Sequence, residues 1–247
     1  MLRIRLQLPK AEAPQRYDHY DLIHDALVNA FEQAGANMSD VIGPQAKAWT
    51  FAPLGYHRGH TGVVHSLVVS TADMNLARAL TRFQADAIVK HRWNAASINF
   101  SAASISIEPD PFWPGQTQLA CLLLSPLIIE DKDSSAQKGG KVWFNDLNNP
   151  HLQLSDIINR QLSARAGRPI QLTITPNTFY LRATPKHSVL VNLKVLRNGH
   201  KSFVIGMQAP LLLEGSEDDL RFAWYAGIGE KTRSGFGCLG LLEQGVH

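Results

Sequence analysis

The stretch AGIGEKTRSGFGCLG, residues 226–240, is the most distinctive part of this 247-residue sequence. It contains two pairs of glycines, which are Gly227, Gly229, Gly235 and Gly237. Glycine adopts backbone conformations that other residues avoid, and a glycine-rich turn can present its N–H groups to an anion. Lys231 and Arg233 lie between the two pairs. The stretch predicts either a loop that cradles a phosphodiester or a tight connection without a ligand.

Two familiar phosphate-binding motifs do not fit this loop. A Walker loop needs Gly-Lys followed by Ser or Thr after a strand, and a dinucleotide-binding loop opens a helix. The loop here leaves a predicted helix at residues 216–225, which has an acidic first turn, and leads into a predicted strand at 236–242. Mononucleotide and dinucleotide sites of these types are therefore excluded.

The rest of the C-terminal half reads as a mixed α/β pattern. Residues 119–130 predict a strand that is interrupted at Ser125-Pro126, and residues 152–166 predict an amphipathic helix that ends before Gly167. The β-rich runs 170–182 and 188–207 are suited to a hairpin with each other. Together with the helix and strand around the loop, the predicted order is β-α-β-β-α-β.

The N-terminal half repeats this order. Residues 2–8 alternate apolar and polar side chains, as in a half-buried strand, and residues 20–34 have apolar positions at helical spacing. Residues 48–54 and 63–70 predict a hairpin around GYHRGHTG. A second helix, capped by Thr71 or Asp73, is predicted to run to about residue 89, with a strand at 102–107.

The Pro-rich stretch PDPFWPG, residues 109–115, predicts a linker between two domains. We expect an N-terminal domain at 1–110 and a C-terminal domain at 116–247. The predicted fold class is α+β, with two tandem ferredoxin-like (RRM-like) domains and a C-terminal glycine-rich loop. Each split βαβ unit should have right-handed crossovers.

Composition limits the class of protein further. The chain is 45% hydrophobic and 18% charged, which is globular composition and excludes a disordered, collagenous or coiled-coil chain. Cys121 and Cys238 lie in apolar runs, which predicts two buried thiols and favours a reducing, cytoplasmic environment. The sequence has no apolar run of membrane-spanning length and begins with a predicted strand, so we expect a soluble cytoplasmic protein.

Charge is unevenly distributed although the formal net charge is only +3. Residues 151–207 contain eight basic residues and one acidic residue, Asp156, so the formal net charge of this segment is +7. The basic residues are Arg160, Arg165, Arg168, Arg182, Lys186, Lys194, Arg197 and Lys201. A weaker basic concentration comprises Arg78, Arg82, Lys90, His91 and Arg92. The +7 segment predicts a surface for a polyanion, with an ordinary solvated surface as the alternative.

The tandem order and the loop resemble the CRISPR repeat-processing endoribonucleases of the RAMP superfamily. Their hallmark is a G-h-G-x5-G-h-G loop (h, apolar) before the last strand, and here it is Gly227-Ile228-Gly229, five residues, and Gly235-Phe236-Gly237. MLRIRLQL at the N-terminus, WTFA and SPLII extend the resemblance over nearly the whole chain. The resemblance implies a protein that binds the repeat stem-loop of a CRISPR precursor RNA and cleaves it to guide RNAs. It also implies other CRISPR effector subunits as partners.

Metal-independent RNA cleavage needs a base for the 2′-hydroxyl, stabilisation of the pentacovalent phosphorane and a proton for the departing 5′-oxygen. Histidine suits proton transfer because its unperturbed pKa is near 6.5. His24 lies in YDLIHDALVNAF, which resembles the helix stretch that carries the general-base histidine in several family members. Tyr20 lies one turn earlier, where its hydroxyl could orient the imidazole or a phosphate. The alternative for His24 is a half-buried helix histidine with a structural role.

A second candidate is the hairpin turn with His57 and His60 on either side of Arg58, followed by His65. Such a turn could hold a base and a charge stabiliser together, although exposed turns also accumulate histidines without a function. Charge in the transition state could be met by Lys231, Arg233 or Lys47. The histidines and acids lack metal-ligand spacing, so we expect no metal and no cofactor. The product implied by this chemistry is a 2′,3′-cyclic phosphate.

RNA contacts are predicted from the glycine-rich loop and from the basic helix 152–166. The residues are Gly227, Gly229, Lys231, Arg233, Gly235 and Gly237 in the loop and Arg160 and Arg165 in the helix. One alternative of another class remains open at this point. A non-catalytic RAMP subunit that binds the guide RNA within an effector complex would have the same fold and loop and would need no histidine.

Overall fold

A computed structural model describes residues 1–17, 20–58, 61–91, 97–195 and 200–242 of the chain. His60, Arg92 and Arg197 lie outside these residues. In chain order, the elements of the N-terminal half are β1 (Leu2–Gln7), β2 (Gln15–Tyr17), α1 (Tyr20–Gln33), α2 (Met38–Val41), β3 (Trp49–Arg58), β4 (Thr61–Thr71), α3 (Met74–Leu80), β5 (Val89–His91), β6 (Ser97–Asn99) and β7 (Ser104–Ile107). A 3-10 turn, Ala85–Ala87, precedes β5.

The N-terminal sheet has the antiparallel order β7-β1-β4-β3, and the short β2 also pairs with β4. The alternation predicted for the first strand holds from Ile4 to Gln7, since Ile4 and Leu6 are buried while Arg5 and Gln7 are not. Arg3, on the predicted polar face, is buried instead. α1 covers the core with one face, as its apolar spacing predicted.

The elements of the C-terminal half follow in chain order: β8 (Gln118–Leu123), α4 (Lys132–Lys138), α5 (Leu154–Ala166), β9 (Leu172–Pro176), α6 (Thr178–Ala183), β10 (Ser188–Val195), β11 (Lys201–Met207), β12 (Leu211–Gly215), α7 (Glu217–Ala226) and β13 (Leu239–Leu241). A 3-10 turn, Thr232–Ser234, lies within the glycine-rich loop.

The C-terminal sheet has the order β13-β8-β12-β9, with every neighbouring pair antiparallel. When the four strands are numbered along the chain, the order is 4-1-3-2, which is also the order of β7-β1-β4-β3 in the first sheet. The predicted double ferredoxin-like fold is confirmed. β10 and β11 form a separate hairpin, and their Val191 and Val204 join the N-terminal core.

The hairpin predicted between residues 170–182 and 188–207 is wrong. The chain leaves β9 at Pro176, and the Asn177 side chain accepts a hydrogen bond from the Tyr180 N–H, which caps α6. β9 pairs instead with β12, a strand that the sequence analysis did not predict. Residues 188–207 fold back on themselves as β10 and β11.

The second helix of the N-terminal half is shorter than predicted. Asp73 caps it as expected, accepting from the N–H groups of Asn75 and Leu76, but α3 ends at Leu80 instead of near residue 89. The Thr81 hydroxyl donates to the Arg78 carbonyl at 2.8 Å, and the chain then turns toward β5. Side-chain competition for backbone carbonyls of this kind favours the end of a helix.

The two halves are joined by a buried arginine. Arg3 on β1 is 1% exposed, and its guanidinium donates to the carbonyls of Leu239 and Trp224, each at 2.8 Å. The same group lies 3.8 Å from the centre of the Trp224 ring, and Glu108 lies 4.0 Å away. Since a buried charge is costly unless it is hydrogen-bonded, these contacts fix the first strand against the C-terminal half.

Both cysteines are buried free thiols, as predicted. Burial raises the pKa of Cys121 to about 12 and that of Cys238 to about 11, so both thiols stay protonated near neutral pH. Among the described residues, no helix has the length and apolar character needed to cross a bilayer.

Candidate functional site

The first turns of α1 place His24 and Tyr20 over strand β3. The imidazole of His24 stacks on the Trp49 indole with ring centres 5.9 Å apart, and 22% of its side-chain surface is exposed. Its Nδ1 lies 3.3 Å from Asp25 Oδ1. A hydrogen bond at Nδ1 leaves Nε2 as the proton-accepting atom of a neutral imidazole. The imidazole of His24 is thus fixed by its contacts and is accessible to solvent.

Tyr20 has a different environment from His24. Its side chain is 5% exposed, and its hydroxyl is hydrogen-bonded to Tyr17. Burial raises the pKa of Tyr20 well above its usual value, so the phenol stays neutral. Its ring packs 5.1 Å from the ring of Phe236 in the glycine-rich loop. Tyr20 therefore links α1 to the loop, and a role in the chemistry remains a prediction.

All four loop glycines have positive φ, between 63° and 88°. Neighbouring groups also leave no room for a side chain. A Cβ on Gly235 would lie 2.7 Å from the Phe51 ring and 2.9 Å from the Tyr20 ring. A Cβ on Gly237 would lie 1.7 Å from the carbonyl oxygen of Ile228. Glycine is required at these positions both by conformation and by close packing.

The loop is closed by backbone hydrogen bonds. The Ile228 N–H donates to the Gly237 carbonyl at 2.9 Å, which brings the two glycine pairs together. The Gly237 N–H in turn donates to the Pro126 carbonyl at 3.0 Å, and the Thr50 hydroxyl donates to the Phe236 carbonyl at 3.1 Å. The loop is therefore a fixed structure held by both halves of the chain.

Arg165 lies beneath the loop. Its guanidinium donates to the carbonyls of Ala226, Gly227 and Gly229, at 3.4, 3.1 and 3.4 Å, and to the Thr232 hydroxyl at 3.3 Å. Burial, with a smaller contribution from nearby Arg233, lowers its pKa to about 10. The RNA contact predicted for Arg165 stays a prediction, and in this structure the side chain binds the loop itself.

The two loop cations differ in exposure. Lys231 is exposed, and its Nζ lies 5.9 Å from the centre of the Trp143 ring. Arg233 is partly buried, and its Nη1 donates to the Gly43 carbonyl at 2.8 Å. Burial lowers the pKa of Arg233. Lys231 is consequently the loop cation more accessible to a ligand.

The predicted catalytic helix and the predicted phosphate loop lie side by side, although more than 200 residues separate them in the sequence. The 3-10 turn Thr232–Ser234 contacts both α1 and β3. β3 supplies Trp49 under His24 and Phe51 under Gly235, and these two rings stack 6.0 Å apart. This junction, formed by His24, β3 and the loop, is the candidate site.

Several other predicted basic residues are exposed. Arg182, Lys186 and Lys194 are exposed, as is Lys47 just before β3. Arg160 is exposed on α5 and lines a cavity of about 430 Å³. That cavity also includes four carboxylates, those of Glu130, Asp131, Asp133 and Glu230. Arg160 therefore has a mixed electrostatic environment, and its contact with RNA stays a prediction.

The competing histidines are on another part of the sheet. His57 is in β3 opposite Gly62, and His65 is exposed on β4. His65 lines a cavity of about 780 Å³ together with Arg5 and Tyr180. The described residues include no group of three or more His, Cys, Asp or Glu side chains arranged to hold a metal ion.

Sequence reasoning missed the roles of two residues at the junction. Trp49 was identified only as part of the second strand, and the contacts of Arg165 with the loop were not foreseen. The string WTF gives no indication that its tryptophan supports a histidine. The Arg165 contacts join positions 61 to 67 residues apart, which no local pattern reveals.

Comparison with known proteins places these features in a family. A family model described as CRISPR associated protein Cas6, C-terminal, matches residues 108–241. No curated protein sequence matches the chain.

Similar solved structures include the product of a Cas6-related gene from Pyrococcus furiosus, with 16% identity, a TM-score of 0.65 and 98% of each chain covered. Another, described as a RAMP protein binding different RNA substrates, has 17% identity and a TM-score of 0.62, covering 98% of this chain and 100% of that one. At these identities the likeness establishes the fold.

Proposed function

Because the chain belongs to the family of CRISPR-associated protein Cas6, we propose that it is a metal-independent endoribonuclease that binds the repeat stem-loop of CRISPR precursor RNA and cuts it to guide RNAs. The observation that carries this proposal is the junction. A partly exposed histidine on a helix lies beside a rigid glycine-rich loop that bears an exposed lysine.

His24 acts as the general base in this proposal. Its Nε2 takes the proton of the 2′-hydroxyl, the 2′-oxygen attacks the adjacent phosphorus, and the bond from phosphorus to the 5′-oxygen breaks. The imidazolium can return the proton to the departing 5′-oxygen, so that protons balance. The products are a 2′,3′-cyclic phosphate and a free 5′-hydroxyl. The hydrogen bond of Nδ1 to Asp25 supports the required tautomer.

Lys47 remains an alternative, but of the two loop cations Lys231 is the better candidate to meet negative charge on the phosphorane. It is exposed, whereas Arg233 has one nitrogen committed to the Gly43 carbonyl. Arg165 supports the loop carbonyls from beneath and so helps to hold Lys231 in place. The exposed Arg182, Lys186 and Lys194 would contact the RNA backbone, where basic side chains contribute most of the affinity.

Chelation tests the metal independence of this mechanism. We expect cleavage of the cognate repeat RNA to proceed at an unchanged rate in an excess of EDTA, because His24 and Lys231 supply the proton transfer and the charge stabilisation. The measurement is the single-turnover rate by gel electrophoresis, with and without EDTA. A loss of activity that magnesium restores would contradict the mechanism. Tight binding without cleavage under every condition would instead favour the non-catalytic guide-binding subunit.

The salt dependence of binding tests the loop cations. The double variant Lys231→Ala and Arg233→Ala should bind repeat RNA more weakly, with a slope of log affinity against log salt that is smaller by about one for each phosphate that a loop cation no longer neutralises. Fluorescence anisotropy with RNA that is 2′-deoxy at the cut site avoids turnover. Lys10→Ala, an exposed lysine near the N-terminus, is the control. An unchanged slope would mean that the loop is structural only.

A further inference from the structure

Lys231 has an unusual backbone conformation. Among the residues that the structure describes, it is the one non-glycine residue with positive φ, at φ 54° and ψ 31°. Glycine takes this left-handed conformation without steric cost, whereas a residue with a Cβ does not. The same loop uses glycine at its other positive-φ positions. A lysine in this strained conformation, within a loop whose other positive-φ positions are glycine, points to a function for its side chain.

The side chain of Lys231 shares an aromatic ring with a second lysine. The Nζ of Lys231 lies 5.9 Å from the centre of the Trp143 ring, and the Nζ of Lys141 lies 5.5 Å from the same centre. Lys141 also donates to Glu130 Oε2 at 2.8 Å. Two ammonium groups therefore lie within cation–π distance of one partly exposed indole, and one of them is paired with a carboxylate.

Trp143 is held in a fixed orientation by the chain on both sides. The Asp131 N–H donates to the Val142 carbonyl at 2.9 Å, and the Phe144 N–H donates to the Ile129 carbonyl at 3.0 Å. Phe144 enters the C-terminal core, whereas Trp143 packs against the N-terminal core, which includes α1. The indole is thus fixed between the two halves.

The glycine-rich loop binds the same backbone segment. The Glu230 N–H donates to the Ile128 carbonyl at 2.9 Å, and the Glu230 carboxylate accepts from the Glu130 N–H at 3.1 Å. Residue 230 immediately precedes the strained Lys231. The loop, the lysine and Trp143 consequently belong to one framework, and the position of the two ammonium groups around the indole is set by the fold.

We propose that Trp143, Lys141 and Lys231 bind one unpaired nucleotide of the RNA. The base stacks on the indole and displaces an ammonium group from the ring. The two lysines then contact the phosphates on the 5′ and 3′ sides of that nucleotide. Base stacking on an aromatic side chain tolerates any base, since every base has a π face. A lysine has a flexible stem and a compact charge, so it can move from ring to phosphate. This inference rests on the proposed RNA-binding function.

Fluorescence of a base analogue tests the stacking directly. The probe is the cognate repeat RNA, 2′-deoxy at the cut site, with 2-aminopurine at each unpaired position in turn. We expect the wild type to quench one position, Trp143→Phe to retain part of the quenching, and Trp143→Leu to lose it and to bind about tenfold more weakly. Trp113→Leu is the matched control, because Trp113 is 63% exposed in the predicted linker.

Lys231→Gly separates a ligand-binding role from a structural one. Glycine relieves the left-handed strain, so the melting temperature should stay equal or rise, while RNA affinity falls and the quenching changes.

Trp143→Phe covers the case in which Trp143→Leu does not fold. If the wild type binds RNA but no position is quenched, or if Trp143→Phe, Trp143→Leu and Lys231→Gly all behave like wild type, the inference is overturned and the proposed function stands. If the wild type binds no repeat RNA, both fail.

Discussion

His24→Ala should lower the rate of repeat cleavage by about a hundredfold or more, with little change in RNA affinity. This is the usual contribution of a positioned general acid or base, and it appears in the chemical step because the imidazole acts in proton transfer and not in holding the phosphates. The rigid mounting matters as much as the residue type. The imidazole lies flat on Trp49, and a ring held by packing keeps the geometry that proton transfer needs.

The measurement is the single-turnover rate at saturating protein, together with the affinity for RNA that is 2′-deoxy at the cut site. His91→Ala is the matched control, because this histidine is exposed on β5 and belongs to neither candidate site. Thermal unfolding of His24→Ala separates a defect in chemistry from a defect in packing on Trp49. A variant with normal melting and a hundredfold lower rate supports the assignment.

Two results would contradict this assignment. Normal cleavage by His24→Ala, together with loss of cleavage in His57→Ala or His60→Ala, would move the site to the hairpin turn. Full activity in all three variants would exclude catalysis by these three histidines, and charge stabilisation by Lys231 and Arg233 would become the leading explanation of the rate.

The fold was predictable because its signals are local. The alternation of Ile4 and Leu6 with polar neighbours predicts a strand, and the helical spacing of apolar residues predicts α1 almost to its last residue. The glycine spacing predicts a close turn, and the four glycines have positive φ angles. The N–H groups of Gly227, Gly235 and Gly237 donate to carbonyls of the protein, so the predicted contact of the loop with an anion stays a prediction. Each of these signals is contained in one short stretch of sequence.

The errors arose where the local signal was ambiguous. Residues 170–182 are rich in residues that favour strands, yet the cap from Asn177 starts a helix after Pro176. β9 pairs with β12, whose Leu211 and Leu213 are buried in the core. Strand propensity does not specify which strand will be the partner. Tertiary packing therefore overrode the predicted hairpin.

The candidate site was predictable in its parts and not in its assembly. His24 and the loop were identified from separate patterns, but their proximity depends on Tyr20 packing against Phe236 across the two halves. Arg165 also shows that local sequence does not reveal contacts between distant residues. A basic helix position predicts a solvent-facing cation, whereas its guanidinium is satisfied by loop carbonyls that only the folded chain brings together.

Gly237→Ala should destabilise the protein by about 2–4 kcal/mol and abolish specific RNA cleavage at temperatures where the wild type is active. An alanine at a φ of 63° costs about 1 kcal/mol through its conformation alone. The added Cβ would also lie 1.7 Å from the Ile228 carbonyl oxygen, so the backbone must move, at a further cost of about 1–3 kcal/mol. The measurement is chemical denaturation, with cleavage assayed below the unfolding transition.

Gly139→Ala is the matched control for this variant. Gly139 has the same φ of 63°, but a Cβ there meets nothing within 4 Å, so only the conformational cost of about 1 kcal/mol should appear. The difference between the two variants isolates the contact between Ile228 and Gly237, which closes the loop. If both variants are destabilised equally, the loop can open at that contact without penalty. The position of Lys231 would then not depend on closure, and the glycine spacing would serve the chain reversal alone.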